Sequence, residues 1–561
     1  MRRPAFVELD TLAVAVAVLV LSSLSVSSFA ARVTDLSALR VLAGEVPYRD
    51  FWTLYAPGTF VTLAVAFRLF GRELLVSNLL GVVTAAAVVT VYYRLVRKVV
   101  GRAWGLGLVG LAVTALGLPI GGASFATYLP AYLLLLVAVS LAVPRVTRDG
   151  VRWVLAPGLL FGAAALYKHD VAGYAALSAA LAMLAERWRS RAEPRLPPLL
   201  VMGAATAVLP LSATLVLVAL GAGPDLWNDV VRFPLTDFPL VRPEVLPLVP
   251  RLRGSLANSV DYLSRWASGA FPFVALAIAA GTLGRRWREL DVETRCLAAF
   301  AASMVAFHAM AARVQLNTHA SSLVLWSALL TVAGLRLVGG RRGRFVRGLA
   351  VTWLAAWAAL VVAEPVYHRI LRASAGDQLD LPGLHGMRST DAGWMRRLAA
   401  AVAEAAPPEA PLVLVGRRND VLIHANSIPY WLSERRPATR YHELHPGITD
   451  TEAVQREMIA DLERGPLPVV VREHRHSDGR LEMFKERMLA KGVRLGSTLL
   501  DEWVQSRYES GPRFGRYELM RPRATLNPNS AVRLEDPEGT LVEQKGFEPS
   551  TPTLRTWCSP S

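Results

Sequence analysis

The chain has 561 residues, 53% of them hydrophobic and 19% charged, with a formal net charge of +16 and a mean hydropathy of +0.34. These values exclude an ordinary soluble protein and fit a polytopic membrane protein. The positive charge does not point to nucleic acid, because the arginines fall largely in short clusters between apolar runs, where the positive-inside rule places them. The two cysteines, Cys296 in an apolar run and Cys558 near the end, form neither a metal motif nor a disulfide framework.

A bilayer core needs about 20 apolar residues per helix. Runs of that kind predict about eleven spans, over 11–31, 76–93, 103–119, 126–143, 154–167, 171–186, 197–222, 268–284, 296–312, 319–338 and 348–366. The first follows Arg2 and Arg3 as a signal peptide would, yet it is long and lacks a small-residue cleavage site, so it reads as a retained anchor.

With a cytoplasmic N-terminus, the inner connections carry Arg94, Arg97, Lys98 and Arg102, then Arg145, Arg148 and Arg152, then Arg187, Arg189, Arg191 and Arg195. Arg285, Arg286 and Arg288 follow, and then Arg336, Arg341, Arg342, Arg344 and Arg347. The outer connections at 120–125, 168–170 and 313–318 carry one basic residue or none, as the charge rule requires. This parity makes 57–70 a helix lying in or dipping into the outer interface, with a second short helix around 36–43. The alternative, a helical hairpin over 57–93 turning at Arg72, inverts every later loop.

The first outer loop, 32–75, interleaves Asp35, Arg40, Glu45, Arg49 and Asp50 with Tyr48, Phe51, Trp52 and Tyr55. A plain connection needs only a few polar residues; this mixture suits an anionic, partly lipidic ligand. Lys168, His169 and Asp170 break an apolar stretch, and ionisable residues at membrane depth are costly enough to point to function, with a polar turn as the structural alternative. The long loop 223–267 holds Asp225, Asp229, Arg232 and Asp237 without metal-ligand spacing. Arg313 and His319 begin the tenth span after an outer turn, and His308 reads as a hydrogen-bonded core histidine.

Residues 372–525 change character, with a helix at 390–406, a strand at 411–415, an amphipathic stretch at 450–464, a strand at 467–471 and helical patterns at 480–491. The expectation is a mainly α polytopic membrane bundle over 1–371, followed by a small extracytoplasmic α/β domain. Segment 426–441 mixes aromatics with arginines; it faces the membrane site or is an ordinary loop with solvated arginines. Residues 526–561 read as a disordered tail. Gly546-Phe-Glu-Pro-Ser-Thr-Pro552 resembles a frame read through a transfer-RNA gene, so 541–561 is assigned no function.

The acid after the first span, the run Gly44-Glu-Val-Pro-Tyr-Arg-Asp-Phe51, the step Tyr55-Ala-Pro-Gly58 and the closing Leu69-Phe-Gly71 resemble the GT-C superfamily of membrane glycosyltransferases. The chain is most similar to its bacterial branch of protein mannosyltransferases and lipid A aminoarabinose transferases, most strongly over 30–100. Pro429-Tyr-Trp-Leu-Ser-Glu-Arg-Arg-Pro-Ala-Thr-Arg-Tyr441 also resembles soluble domains of such proteins.

The resemblance implies a polyprenyl-phosphate sugar donor and an inverting transfer on the outer face to a cell-envelope acceptor. It gives Asp35 the place of the functional acid, as base or as ligand of a divalent metal. Asp35 as helix cap is the structural alternative. Relatives often carry a paired acid, whereas Leu36 follows here, so a two-acid metal site would recruit Glu45 or Asp50. A departing phosphate needs cations, for which Arg40, Arg49, Lys168 and Arg313 are the candidates. Tyr55, Asp170 and His319 stand as supporting residues. A transporter or flippase of lipid-linked sugars, or a catalytically silent scaffold, are the other classes; the sequence shows no convincing repeats or broken helices for a transporter.

Overall fold

The computed structural model describes residues 9–24, 26–29, 32–115, 125, 127–146, 151–189, 196–238, 277, 281–282, 284, 286–311, 316–337, 376–422, 427–474, 477–490, 492 and 496–523. The expected spans at 348–366 and over nearly all of 268–284, Arg313 and the tail lie outside these residues. The described residues fall into two compact units, one holding those up to Arg396 and the other those from Arg397 on.

The first unit is helical: α1 (Leu9–Ser23), α2 (Val33–Leu42), α3 (Gly58–Phe70), α4 (Leu74–Val100), α5 (Arg102–Ala115), α6 (Tyr128–Ala142), α7 (Arg152–Ala165), α8 (His169–Arg189) and α9 (Leu196–Ala219). The short α10 (Gly223–Trp227) continues through a π-helical turn, Asn228–Arg232, into α11 (Phe233–Thr236). Two long helices follow, α12 (Val292–Ala311) and α13 (Leu316–Leu337). Among the described residues, four helical stretches are long and apolar enough to cross a membrane: Leu74–Val100, Tyr128–Arg145, Pro197–Ala219 and Val292–Ala311.

Several boundaries differ from expectation, and α4, expected to stop near residue 93, runs on to Val100. α1 ends at Ser23 rather than near residue 31. α2 begins at Val33, three residues before the expected start. α3 has 13 residues, about 20 Å at 1.5 Å per residue, which falls short of a 30 Å hydrocarbon core. Gly71, at φ 98°, ends it, a conformation L side chains avoid.

Helices approach closely where side chains vanish. A Cβ on Gly158 would lie 2.7 Å from the Met202 carbonyl oxygen, and one on Gly162 would lie 2.5 Å from that of Thr206. The Gly158-Leu-Leu-Phe-Gly162 spacing therefore lets α7 lie directly on α9, the small-residue contact membrane helices use in place of a hydrophobic drive. The core closes around the fully buried Trp326, met edge-on by Phe300 and Tyr92 at 5.1 and 6.2 Å.

Buried charges gather at two ends of this bundle. At one, Asp10 of α1 accepts from Tyr93 and receives Arg97 and Arg102, and the buried pair Glu186–Arg295 joins α8 to α12 at 2.6 Å. At the other end stand the residues described in the next subsection. The hairpin of β1 (Asp377–Gln378) and β2 (Arg388–Ser389) completes the unit: Phe29 N–H donates to the Arg388 carbonyl, Leu74 N–H to that of Gly383, and Glu73 binds His385 at 2.8 Å.

The second unit carries β3 (Leu412–Gly416) parallel to β4 (Val469–Glu473), extended by antiparallel β7 (Tyr517–Leu519) and β6 (Arg513–Phe514) in the order β3-β4-β7-β6. A minor pair joins β5 (Tyr508–Glu509) to β8 (Arg521–Pro522). The helices are α14 (Ala392–Ala405), which begins in the first unit, α15 (Ile428–Ser433), α16 (Glu452–Arg464), α17 (Asp478–Ala490) and α18 (Leu499–Arg507). The solvated-arginine reading of 426–441 is corrected at Arg435, which is buried and donates to the carbonyls of Val402, Ala406, Pro407 and Ala410. It satisfies the open C-terminal end of α14, where orphan carbonyls and the helix dipole favour a cation.

Candidate functional site

Asp35 occupies the first turn of α2 and is fully buried. One oxygen accepts the backbone N–H of Arg32 at 3.0 Å, and the other accepts the Ser77 hydroxyl at 2.7 Å. Asp35 thus caps from inside the helix, at the third position rather than at the cap itself. Burial pushes its pKa from the ordinary carboxylate range to about 6, against the opposing pull of the Ser77 hydrogen bond and the Arg32 charge. The carboxyl therefore changes ionisation close to neutrality.

The rest of the first loop is a set of closed pairs. Arg40 donates to Glu45 at 2.5 Å and to the Asp50 carbonyl at 2.9 Å, with its guanidinium 5.0 Å from the Phe51 ring centre. Arg49 grips Asp50 through two bonds of 2.8 Å and donates to the Leu220 carbonyl at the end of α9. Bonded so, Asp50 has its pKa held below the usual range. Glu45 and Asp50, the acids available for a two-acid metal site, are thus both held by arginines. Among the described residues no group of three His, Cys, Asp or Glu side chains has the placement to hold a metal ion.

The aromatic residues do more than line an interface. Tyr48 is fully buried at φ 69°, and its hydroxyl donates to the Tyr55 carbonyl at 2.7 Å. It packs with Leu217 and Ala222, fixing the loop to the exit from α9. Trp52 meets Phe233 edge-on at 5.9 Å, and Phe51 meets Phe60 at 6.0 Å. Gly58 N–H donates to the Leu166 carbonyl at 2.6 Å, an approach a Cβ would block, and Thr62 bonds Tyr167 at 2.8 Å. This seats α3 on the turn that carries Lys168.

At that turn Lys168 lies 3.4 Å from Asp170, and Asp170 lies 3.6 Å from His319 Nε2. His319 Nδ1 and His308 Nδ1 are 2.8 Å apart. Tyr174 stacks on Phe307 and stands edge-on to His308 at 5.3 Å. The structure thus brings His319, distant in sequence, to the Lys168–Asp170 turn and adds His308. A contiguous path connects this group to Asp35: Ser77 bonds Asp35 by its side chain and Phe125 N–H by its carbonyl, and Phe125 meets Tyr167 edge-on at 6.3 Å. Sequence reasoning missed Ser77, Tyr174 and the Leu220 carbonyl. The pair Ser77-Asn78 at the head of an apolar helix was the available signal, with Asn78 donating to the Val26 carbonyl at 2.7 Å.

No protein-family model and no curated protein sequence matches the chain. Solved structures do match, among them two of one protein. ArnT from Cupriavidus metallidurans in the apo state aligns with a TM-score of 0.52 and 15% identity, over 92% of this chain and 98% of that one. The same protein bound to undecaprenyl phosphate aligns with a TM-score of 0.50 and 14% identity, over 91% and 97%. At this identity the likeness shows the fold alone, and the long apolar helices that carry it mark the chain as a multi-pass membrane protein.

Proposed function

We propose that this chain is an integral glycosyltransferase of the plasma membrane that moves a sugar from a polyprenyl-phosphate-linked donor to a cell-envelope acceptor, a glycan, lipid or protein. The transfer occurs on the outer face and inverts the anomeric centre. Its N-terminus is cytoplasmic, and residues 372–525 form an extracytoplasmic α/β domain. Support comes from the shared fold with an ArnT whose structure holds undecaprenyl phosphate, and above all from Asp35, a buried carboxyl with a pKa of about 6 at the head of an interfacial helix.

In the reaction the acceptor hydroxyl oxygen attacks the anomeric carbon as the bond from that carbon to the phosphate oxygen breaks. The polyprenyl phosphate leaves with the electron pair, and Asp35 takes the hydroxyl proton. Arg40, Arg49, Lys168 and Arg313 are the cations proposed to hold the departing phosphate, with Tyr55, Glu45, Asp50, Asp170 and His319 in support. Phosphate binding at Arg49 exchanges a carboxylate partner for a phosphate one, because Asp50 already fills its fork. Metal ligation by Asp35 is the other role open to that carboxylate.

A silent scaffold of the same fold would use Asp35 only as a cap, and Asp35→Asn separates the two roles, since an amide still accepts the Arg32 N–H. The variant is expected to express and bind undecaprenyl phosphate as the wild type does while product formation falls about 100-fold or more. Product at the wild-type rate would overturn both the base and the metal-ligand roles. Mass spectrometry of surface glycans and polyprenyl-phosphate sugars from a deletion strain names the substrates.

A further inference from the structure

His308 and His319 sit on consecutive helices, α12 and α13, and both are buried. Their Nδ1 atoms face each other at 2.8 Å, so one ring donates and the other accepts. Beyond them, His319 Nε2 faces Asp170, and His308 Nε2 is buried with no hydrogen-bond partner among the described residues.

Two arrangements of neutral rings satisfy the shared contact. If His319 donates, His308 carries its proton on the partnerless Nε2, and His319 turns a bare lone pair to a carboxylate. That leaves one buried N–H orphaned and sets two acceptors against each other, a double cost. If His308 donates, its Nε2 is merely a bare acceptor, and His319 presents Nε2–H to Asp170. The second arrangement prevails.

We propose that His308 and His319 form a positioning dyad for the phosphate-holding lysine. His308 sets the tautomer of His319, the His319 Nε2–H holds Asp170, and Asp170 at 3.4 Å holds the Lys168 ammonium towards the lipid phosphate. The inference rests on the reading of Lys168 as a phosphate ligand. Neither histidine touches the reacting atoms. Tyr174 covers both rings, edge-on to His308 and 6.1 Å from His319.

The test is equilibrium binding of undecaprenyl phosphate to the full chain in lipid nanodiscs, together with the donor KM and kcat. His308→Leu is expected to weaken binding about tenfold and to lower kcat/KM by at least that factor, as Lys168→Met does. The double variant is expected to lose little more than either single one, because both act through one path. His308→Asn, which keeps an N–H donor near the Nδ1 position, should restore binding to within about threefold.

Should the leucine variant fail to fold, His319→Gln and His319→Leu make the same comparison, the amide alone keeping a donor to Asp170. Wild-type affinity in His308→Leu, losses that multiply to about 100-fold in the double variant, or an asparagine variant as weak as leucine would overturn the dyad while leaving the glycosyltransferase reading intact. A wild-type protein that binds no undecaprenyl phosphate would overturn both.

Discussion

At the residue scale, the proposed role of Asp35 as base predicts a pH dependence. A base must be ionised to accept a proton, so with a pKa of about 6 the transfer rate rises as pH climbs through 6 and levels off above it. Below that point the rate falls roughly tenfold per pH unit. Ser77 donates to the ionised carboxylate and so opposes the effect of burial. Ser77→Ala removes that bond, and the acid limb of the pH–rate profile is expected to move upward by about half to one unit. A limb that stays in place would mean that another group controls it. The sequence pointed to Asp35 by its position after the first span. That its carboxyl is fully buried and tied to Ser77, 42 positions away, follows only from the packing of α2 against the head of α4.

At the scale of elements, the contact between α7 and α9 depends on two missing side chains. Gly162→Leu places a branched side chain where the Thr206 carbonyl stands, and the helices must separate. Overpacking of this kind costs about 1–3 kcal/mol, expected as a lowered unfolding midpoint of the detergent-solubilised protein. A Cβ added at the exposed Gly173 of α8 would meet nothing within 4 Å, so Gly173→Leu should leave the midpoint unchanged. Helix positions were largely legible from apolar runs, because burial of about twenty apolar residues in a bilayer leaves a strong pattern. Helix ends were less so: α1 stops early at Ser23, and α2 starts early at Val33. Ends are decided by which capping partner a fold brings near, and for α2 the Asp35 carboxylate caps the Arg32 N–H from inside the helix.

For the whole molecule, orientation is the quantity that ties chemistry to place. The arginine pattern predicts that residues 32–75 lie outside and 94–102 inside. In a Cys558→Ser background, the exposed positions Ala43→Cys and Arg94→Cys are therefore expected to react with an impermeant thiol reagent from opposite sides of intact cells, Ala43→Cys from the outside. Cys296 is buried and contributes no background. Labelling of Ala43→Cys only after permeabilisation would remove the outer-face reaction, whatever the chemistry of Asp35.

The sequence alone determined that the chain is a membrane protein, where most described helices run, and which loop concentrates acids, arginines and aromatics. Those properties are carried by composition and periodicity along the chain, which the bilayer reads directly. Only the tertiary structure decided who partners whom: Arg40 with Glu45, Arg49 with Asp50 and Leu220, Ser77 with Asp35, and Asp170 with Lys168 and the distant His319. Buried charges take whichever partner the fold brings within hydrogen-bond reach, and that proximity is a property of helices packed in three dimensions.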